Sequence, residues 1–131
     1  MKHPERVLDY LEHIVQAIER ATRYVEPLDT AGAQRQSEQI QDAVVRNIEI
    51  IGEAAGRIQR MDPGFVAIHS ELPWMEMRGI RNKVIHEYFD MDWNIVWSTV
   101  KHDLPPLKAQ IEAVLAACDP APGADNSVQP Q

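Results

Sequence analysis

Apolar residues recur every three or four positions along most of the chain, which is the period of amphipathic helices. The first run predicts a helix from about Pro4 to Val25, with the proline in the first turn, where it is tolerated. The second run predicts a helix from about Ser37 to Arg60. Between them, the segment PLDTAGAQ combines proline, glycine and small polar residues, which predicts a loop.

The middle of the chain predicts a short helical turn followed by a third long helix. The turn signal DPG ends the second helix, and residues 65–70 have the length of a short helical turn. Pro73 then opens a longer segment whose apolar positions continue through Phe89. No stretch alternates apolar and polar residues for long enough to predict a strand.

The last helix begins after Asp92, a residue type that is typical of N-caps, and its apolar positions continue to Leu115. Pro105 and Pro106 interrupt its hydrogen bonding, which predicts one bent rod rather than two separate helices. We therefore predict an all-α fold, an antiparallel bundle of four to five helices with a kinked last long helix. Residues 1–118 form this domain, and residues 119–131 form a disordered tail with few large apolar side chains.

The composition limits the partners that this domain can have. A chain of 131 residues is the size of one domain, and its net charge of −7 argues against broad electrostatic binding to nucleic acid, so any such contact must be local. Cys118 is the single cysteine, so neither a disulfide nor a thiolate metal cluster can form within one chain. No apolar run approaches the length of a membrane span, and we predict a cytoplasmic protein with no membrane partner.

The stretch RNKVIHEY, from Arg81 to Tyr88, concentrates polar side chains around Val84 and Ile85. This stretch lies inside the predicted third helix, so Arg81 and Tyr88, which are seven positions apart, lie on one face. Burying such polar groups without partners is costly, so they are expected to line a groove.

These residue types have the chemistry needed to cut RNA. The imidazole of His86 can take a proton from a ribose 2′-hydroxyl or protonate a leaving oxygen, and the guanidinium of Arg81 can stabilise charge on the scissile phosphate. Asn82 can orient either group, and Lys83 and Arg78 can hold flanking phosphates. The prediction is metal-independent cleavage that yields a 2′,3′-cyclic phosphate and a 5′-hydroxyl, and that excludes DNA because DNA lacks the 2′-hydroxyl.

An ordinary structural interpretation fits the same residues. A histidine on a helix is usually solvated or paired, and Glu87 or Asp90 can supply the partner for His86. Tyr88 is then a tyrosine on an amphipathic helix surface. The spacing of the motif leaves both interpretations open.

Three other groups of residues have structural and functional interpretations. Glycine inside a helix is unfavourable, so Gly52 and Gly56 indicate close helix packing rather than a ligand site. Polar residues on the same helix either face the cleft or are solvated, and Glu53 is a candidate to neutralise a motif arginine. The tryptophans around the motif are expected in the core or a dimer interface rather than stacking on bases. These last two groups are Arg46, Asn47 and Glu53, and Trp74, Trp93 and Trp97.

A metal site has little support in the sequence. A di-iron carboxylate bundle needs Glu-x-x-His pairs that project inward, and no such pair occurs. The HExxH pattern is also absent, and the remaining histidines are scattered. We therefore predict no metal ligands and no bound cofactor.

The motif and its surroundings resemble the HEPN superfamily, and more closely the HepT-like toxins, whose signature is an arginine, four residues, a histidine, one residue and a tyrosine. The chain matches it as Arg81, His86 and Tyr88, with the polar residue that often follows the arginine present as Asn82. The segments RNIEIIGEAAGRI, LPWMEMRGIRNKVIHEYFDMDWNIVW and VKHDLPPLKAQIEAVL also resemble this family.

The resemblance implies a helical bundle that forms a homodimer, brings both motifs to one cleft and acts as a ribonuclease toxin. It also implies a partner, a minimal nucleotidyltransferase antitoxin of a type VII toxin–antitoxin system, which transfers AMP from ATP to the motif tyrosine, here Tyr88. An alternative is a non-catalytic helical partner of the nucleotidyltransferase that binds a nucleotide or presents Tyr88 without cutting RNA.

Overall fold

The computed structural model describes residues 4–26, 38–87 and 90–118. Two long helices come first, α1 (Pro4–Val25) and α2 (Glu38–Met61), and their bounds agree closely with the prediction. The predicted loop PLDTAGAQ and the predicted tail at 119–131 lie outside the described residues. Within those three described ranges, no helix is both long and apolar enough to cross a membrane.

Helices α1 and α2 form the centre of the hydrophobic core. Their apolar faces meet because each carries large aliphatic residues at helical spacing, and burying one such side chain fully contributes about 1.5–3 kcal/mol. The largest fully buried residues of the two helices include Leu11, Ile14 and Ile18 on α1, and Ile48, Ile51 and Ile58 on α2.

A short helix, α3 (Pro63–Ile68), follows α2 and confirms the predicted short helical turn. Its start is fixed by Asp62, whose side chain accepts a hydrogen bond from the backbone N–H of Phe65 at 3.0 Å. The indole N–H of Trp74 donates to the carbonyl of His69 at 2.9 Å, which ties α3 to the helix that comes next.

The predicted third long helix is interrupted, so that prediction was wrong. The chain forms α4 (Trp74–Arg78) and α5 (Ile80–Val84), and then continues as a hairpin of β1 (Ile85–Glu87) and β2 (Asp90–Met91). The two strands pair antiparallel, with Ile85 opposite Met91, so the expectation that no strand would form was also wrong. Because the strands are so short, the fold remains all-α, as predicted.

Local residue preferences explain the interruption. Gly79 separates α4 from α5, and glycine is a poor helix former. Val84 and Ile85 are consecutive β-branched residues that are both buried, at 0% and 8% exposure, and such residues favour extended backbone. Ile85 has φ −122° and ψ 107°, so the helix ends immediately before it. Apolar spacing alone did not predict this end.

The last helical rod follows the prediction. Asp92 caps α6 (Trp93–Ser98) by accepting from the backbone N–H of Asn94 at 3.0 Å, and the rod continues through a π-helical turn (Thr99–Asp103) into α7 (Leu104–Cys118). Pro105 and Pro106 would clash with carbonyls one turn earlier in a regular helix. The wider turn lies at that position, which explains how the rod accommodates both prolines.

An ion-pair network joins α7 to α1. The ammonium of Lys108 lies 3.3 Å from the carboxylate of Glu112 and 3.5 Å from that of Glu19 on α1. The hydrogen bond and negative charge of Glu112, with a smaller contribution from Glu19, raise the pKa of Lys108 above its ordinary value. All three side chains are partly exposed, so the network contributes little to stability.

The two glycines of α2 have different surroundings. A methyl group on Gly52 would lie 3.2 Å from the carbonyl oxygen of Met77 and 3.3 Å from that of Arg78, so α4 approaches the backbone of α2 closely there. A methyl group on Gly56 would meet only the guanidinium of Arg60, at 3.4 Å. Close approach of another helix therefore occurs at Gly52, whereas Gly56 is buried beside the side chain of Arg60.

We expect Gly52→Ala to destabilise the protein by about 1 kcal/mol, because overpacking against backbone carbonyls costs about 1–3 kcal/mol while the better helix former returns about 1 kcal/mol. Gly56→Ala is the matched control and should stabilise by about 0.5–1 kcal/mol. Urea unfolding of both variants measures the two changes. Equal stabilisation by both substitutions would show that α4 is not held against α2 at Gly52.

Candidate active site

A charged groove of about 510 Å³ lies between α2 and the α4–α5 segment. Gly52 lets α4 lie close to α2 at its floor, and the break at Gly79 separates the two arginines that α4 and α5 contribute. The groove is lined by Glu49, Gly52, Glu53, Gly56, Arg60, Arg78 and Arg81.

Arg81 is held in this groove by Glu49. Its Nε donates to Oε2 of Glu49 at 3.0 Å, and the two side chains are 46% and 40% exposed. The bond uses the inner nitrogen of the guanidinium, and the terminal nitrogens make no hydrogen bond to another described residue. The contact therefore fixes the direction of Arg81 and leaves its terminal nitrogens available for an anion.

The sequence pointed to Glu53 as the partner of a motif arginine, and the structure places Glu49, one turn earlier, in that contact. Glu53 lines the same groove. The face of α2 that meets the groove was visible in the sequence, because Glu49, Gly52, Glu53 and Gly56 recur at helical spacing. The glycines mark where α2 has no side chain, and the glutamates flank that strip.

Arg60 is a groove residue that sequence reasoning missed. Its Nη1 lies 3.4 Å from the position that a methyl group on Gly56 would occupy, so the guanidinium lies alongside the glycine. The four-residue spacing of Gly56 and Arg60 was the available signal. Together with Arg78 and Arg81, Arg60 gives the groove three arginines against two glutamates.

The predicted supporting residues lie in different places. Arg78 lines the groove with Arg81. Lys83 lies on another side of α5, where its Nζ donates to Oδ2 of Asp103 at 2.7 Å, and it lines a separate pocket of about 580 Å³ next to the π-helical turn. Asn82 is exposed. The structure thus brings Arg78, and not Lys83, together with Arg81.

His86 and Tyr88 follow the end of α5. The backbone of His86 lies in β1, and Tyr88 is outside the described residues. The prediction that Arg81 and Tyr88 share one face of a continuous helix was wrong, because the helix ends at Val84. At His86 the backbone therefore follows strand β1 and not the helical period.

Two further sequence candidates have structural roles. Asn47 is 4% exposed, accepts from Arg20 Nε at 2.8 Å and donates to the carbonyl of Ala43 at 2.8 Å, so it joins α1 to α2. Trp74 and Trp93 are buried in the core, as the packing interpretation predicted.

Arg46 and Trp97, the remaining sequence candidates, do not line the groove. Arg46 is exposed on α2. Trp97 is half-buried, and the ammonium of Lys101 lies 5.8 Å from its ring centre. Within the part of the chain that the structure describes, no group of three or more His, Cys, Asp or Glu side chains is arranged to hold a metal ion.

The described residues form a mainly helical bundle, which is consistent with a HEPN-like fold. The chain matches the family model described as "Ribonuclease HepT-like" over residues 14–114, and it belongs to this HepT-like family. No solved structure gives a significant match.

Three relatives illustrate the similarity. "Probable ribonuclease HepT" of Thermococcus cleftensis is 40% identical over 104 residues, which are 79% of this chain and 91% of the relative. "Putative RNase TTE0752" of Caldanaerobacter subterraneus subsp. tengcongensis is 36% identical over 106 residues, 81% of this chain and 91% of the relative. "Gamma-glutamylcyclotransferase and putative RNase MJ0434" of Methanocaldococcus jannaschii is 36% identical over 110 residues, 84% of this chain and 48% of the relative.

Proposed function

We propose that this protein is a metal-independent endoribonuclease that acts as the toxin of a toxin–antitoxin system. The proposal depends on the position of Arg81, which lines a groove together with Arg78. Its Nε donates to Glu49, and its terminal nitrogens make no hydrogen bond to another described residue. The family match and the ribonuclease names of the relatives support the same activity.

The proposed reaction uses the RNA's own 2′-hydroxyl. His86 takes the proton from that hydroxyl, the oxygen attacks the adjacent phosphorus, and the bond from phosphorus to the 5′-oxygen breaks. Arg81 stabilises the negative charge that develops on the phosphate oxygens. The 5′-oxygen receives a proton, so the products are a 2′,3′-cyclic phosphate and a 5′-hydroxyl. Asn82 orients the reacting groups.

We also propose that the active unit is a cytoplasmic homodimer. Each chain has a net charge of −7, and one groove offers few cations to an RNA strand. A two-fold axis that brings two motifs to one cleft doubles these cations. Lys83 is not counted among these cations, because it lies outside the groove and pairs with Asp103.

The proposed regulation is covalent modification of Tyr88 by a minimal nucleotidyltransferase antitoxin. The phenol oxygen attacks the α-phosphate of ATP, a bond from oxygen to phosphorus forms, and pyrophosphate leaves. AMP on Tyr88 adds bulk and negative charge two residues after His86 in the sequence, and in this scheme it blocks RNA by steric hindrance and repulsion. No cofactor is held by the protein in this scheme, because ATP is used by the partner.

A second candidate function is a non-catalytic scaffold that presents Tyr88 or a nucleotide to the nucleotidyltransferase. The acidic chain and the carboxylate of Glu49 already on Arg81 favour it, because both oppose RNA binding. The two functions differ in one observable, since the scaffold does not cut RNA at any concentration.

We expect Arg81→Ala and His86→Ala each to lower the RNA cleavage rate by at least about 100-fold, because each removes a group that acts in the transition state. Cleavage of total RNA in EDTA and growth arrest in cells measure the effect. Arg81→Ala should unfold within about 1 kcal/mol of the parent, since its ion pair is exposed. Folded variants that cut RNA as fast as the parent would refute the catalytic assignment.

We expect different substitutions at Glu49 to have different effects on kcat and on KM. Glu49→Ala should lower kcat about 10-fold, because Arg81 loses its orientation, and should also lower KM, because a negative charge leaves the groove. Glu49→Gln keeps a hydrogen-bond acceptor and should lower KM alone. Glu53→Gln is the matched control, because it removes the same charge from the same groove. If Glu49→Ala and Glu53→Gln have equal kcat values, Glu49 does not orient Arg81.

We expect the neighbouring gene to encode a minimal nucleotidyltransferase that adds AMP to this protein at Tyr88 and abolishes its RNA cleavage. Intact-mass measurement of the protein expressed alone and with that enzyme tests this, with Tyr24→Phe as a control outside the motif. Tyr88→Phe should remain unmodified. A mass increase without any RNA cleavage by the unmodified form would support the scaffold instead.

A further inference from the structure

The groove continues beyond Arg81, along α2 to Arg60. Arg81 meets α2 at Glu49, and the guanidinium of Arg60 lies alongside Gly56. These two points are seven residues apart on one helix, or about 10 Å along its axis. The two guanidinium groups therefore contact α2 about two turns apart, and we expect an anion at Arg60 to be a different group from the anion at Arg81.

The surface between these points suits a phosphate backbone. Gly52 is covered by backbone carbonyls of α4, and Gly56 is buried beside the guanidinium of Arg60, so a strand in the groove meets that guanidinium rather than the backbone of α2. Arg78, on α4, lines the other wall of the same groove. Neither Arg60 nor Arg78 makes an ion pair with another residue that the structure describes, whereas Arg81 is already held by Glu49.

The structural explanation of Arg60 is that a cation in the last turn of α2 favours the helix dipole. A long side chain on a helix ordinarily lies back over the residue four positions earlier, which explains why its guanidinium lies next to Gly56. Neither of these structural explanations accounts for the groove that Arg60 lines together with Arg78 and Arg81. Arg57 provides a comparison on the same helix, because it is also exposed but lines a different pocket, next to Tyr10 and His13 of α1.

We propose that Arg60, with Gly56 beside it and Arg78 opposite, binds a second phosphate of a single-stranded RNA, one that is separate from the phosphate at Arg81. This inference rests on the proposed function for its substrate class. It extends the site from a single reacting phosphate to a track along α2 that fixes the direction in which the strand lies.

The first test measures binding and does not need cleavage. Arg60→Gln and the control Arg57→Gln are titrated with an oligouridylate that is 2′-O-methylated throughout, so no 2′-hydroxyl can react. We expect Arg60→Gln to bind about 3–10-fold more weakly than the parent. Its slope of log K against log salt should be smaller by about 0.7, the value for one phosphate contact on a single strand, while Arg57→Gln keeps the parent slope.

The second test locates the phosphate. In an RNA whose cleavage position has been mapped, each phosphate is replaced in turn by a neutral methylphosphonate, and the 2′-hydroxyl at the cleaved position is methylated. We expect Arg60→Gln to cause no further loss of affinity when one particular phosphate, other than the one at the cleaved position, is a methylphosphonate. The neutral methylphosphonate has then already removed the interaction with Arg60. Urea unfolding of Arg60→Gln separates this loss from a change in stability.

Each outcome has a separate meaning. If Arg60→Gln and Arg57→Gln have equal affinities and salt slopes, or if the parent does not bind the oligouridylate, the second phosphate site is refuted. If Arg60→Gln causes the same loss of affinity whichever phosphate is neutral, the role of Arg60 is structural and the proposal fails. If the parent cuts no RNA but Arg60→Gln alone loses salt slope, the phosphate track stands and the ribonuclease proposal fails.

Discussion

The close approach of α4 to α2 at Gly52 is the constraint on which the groove depends. The backbone carbonyl oxygens of Met77 and Arg78, at the end of α4, lie against Gly52, where α2 has no side chain to keep them apart. Any larger side chain at this position would move α4 outward. Because Arg78 ends α4 and Arg81 lies in α5, both arginines would move with it.

The break at Gly79 has an equally specific effect on the motif. It divides the chain into two short helices, and the buried pair of Val84 and Ile85 then ends the second helix in extended backbone. As a result, Arg81 reaches Glu49 on α2, whereas Lys83, two residues later, reaches Asp103 on the opposite side. The polar residues of the motif therefore serve two surfaces, although a continuous helix predicts one broad arc.

Apolar spacing was sufficient to predict α1, α2 and the last rod, because each buries a regular face for many turns. It failed at the motif, because either a helix or a strand can bury Val84 and Ile85. Only the β-branched shape of these two side chains favours the strand. Arg78 and Arg81 were found because they lie within or near a recognisable signature. Glu49 and Arg60 were missed because they lie far from it in sequence, and the fold alone brings them to the same groove.

The net negative charge of the chain is compatible with the proposed RNA substrate, because most of the carboxylates lie outside the groove. At physiological ionic strength, charges more than about 8 Å apart in solvent are largely screened, so the surrounding carboxylates affect a bound strand less than the groove does. Within the groove, three arginines outnumber two glutamates, and one of those glutamates is engaged by Arg81. With so few cations, each groove would hold RNA weakly, because affinity for a phosphate backbone grows with the number of phosphates neutralised. A second copy adds contacts to the same strand without requiring a basic surface, so pairing of two grooves would supply affinity that one acidic chain lacks.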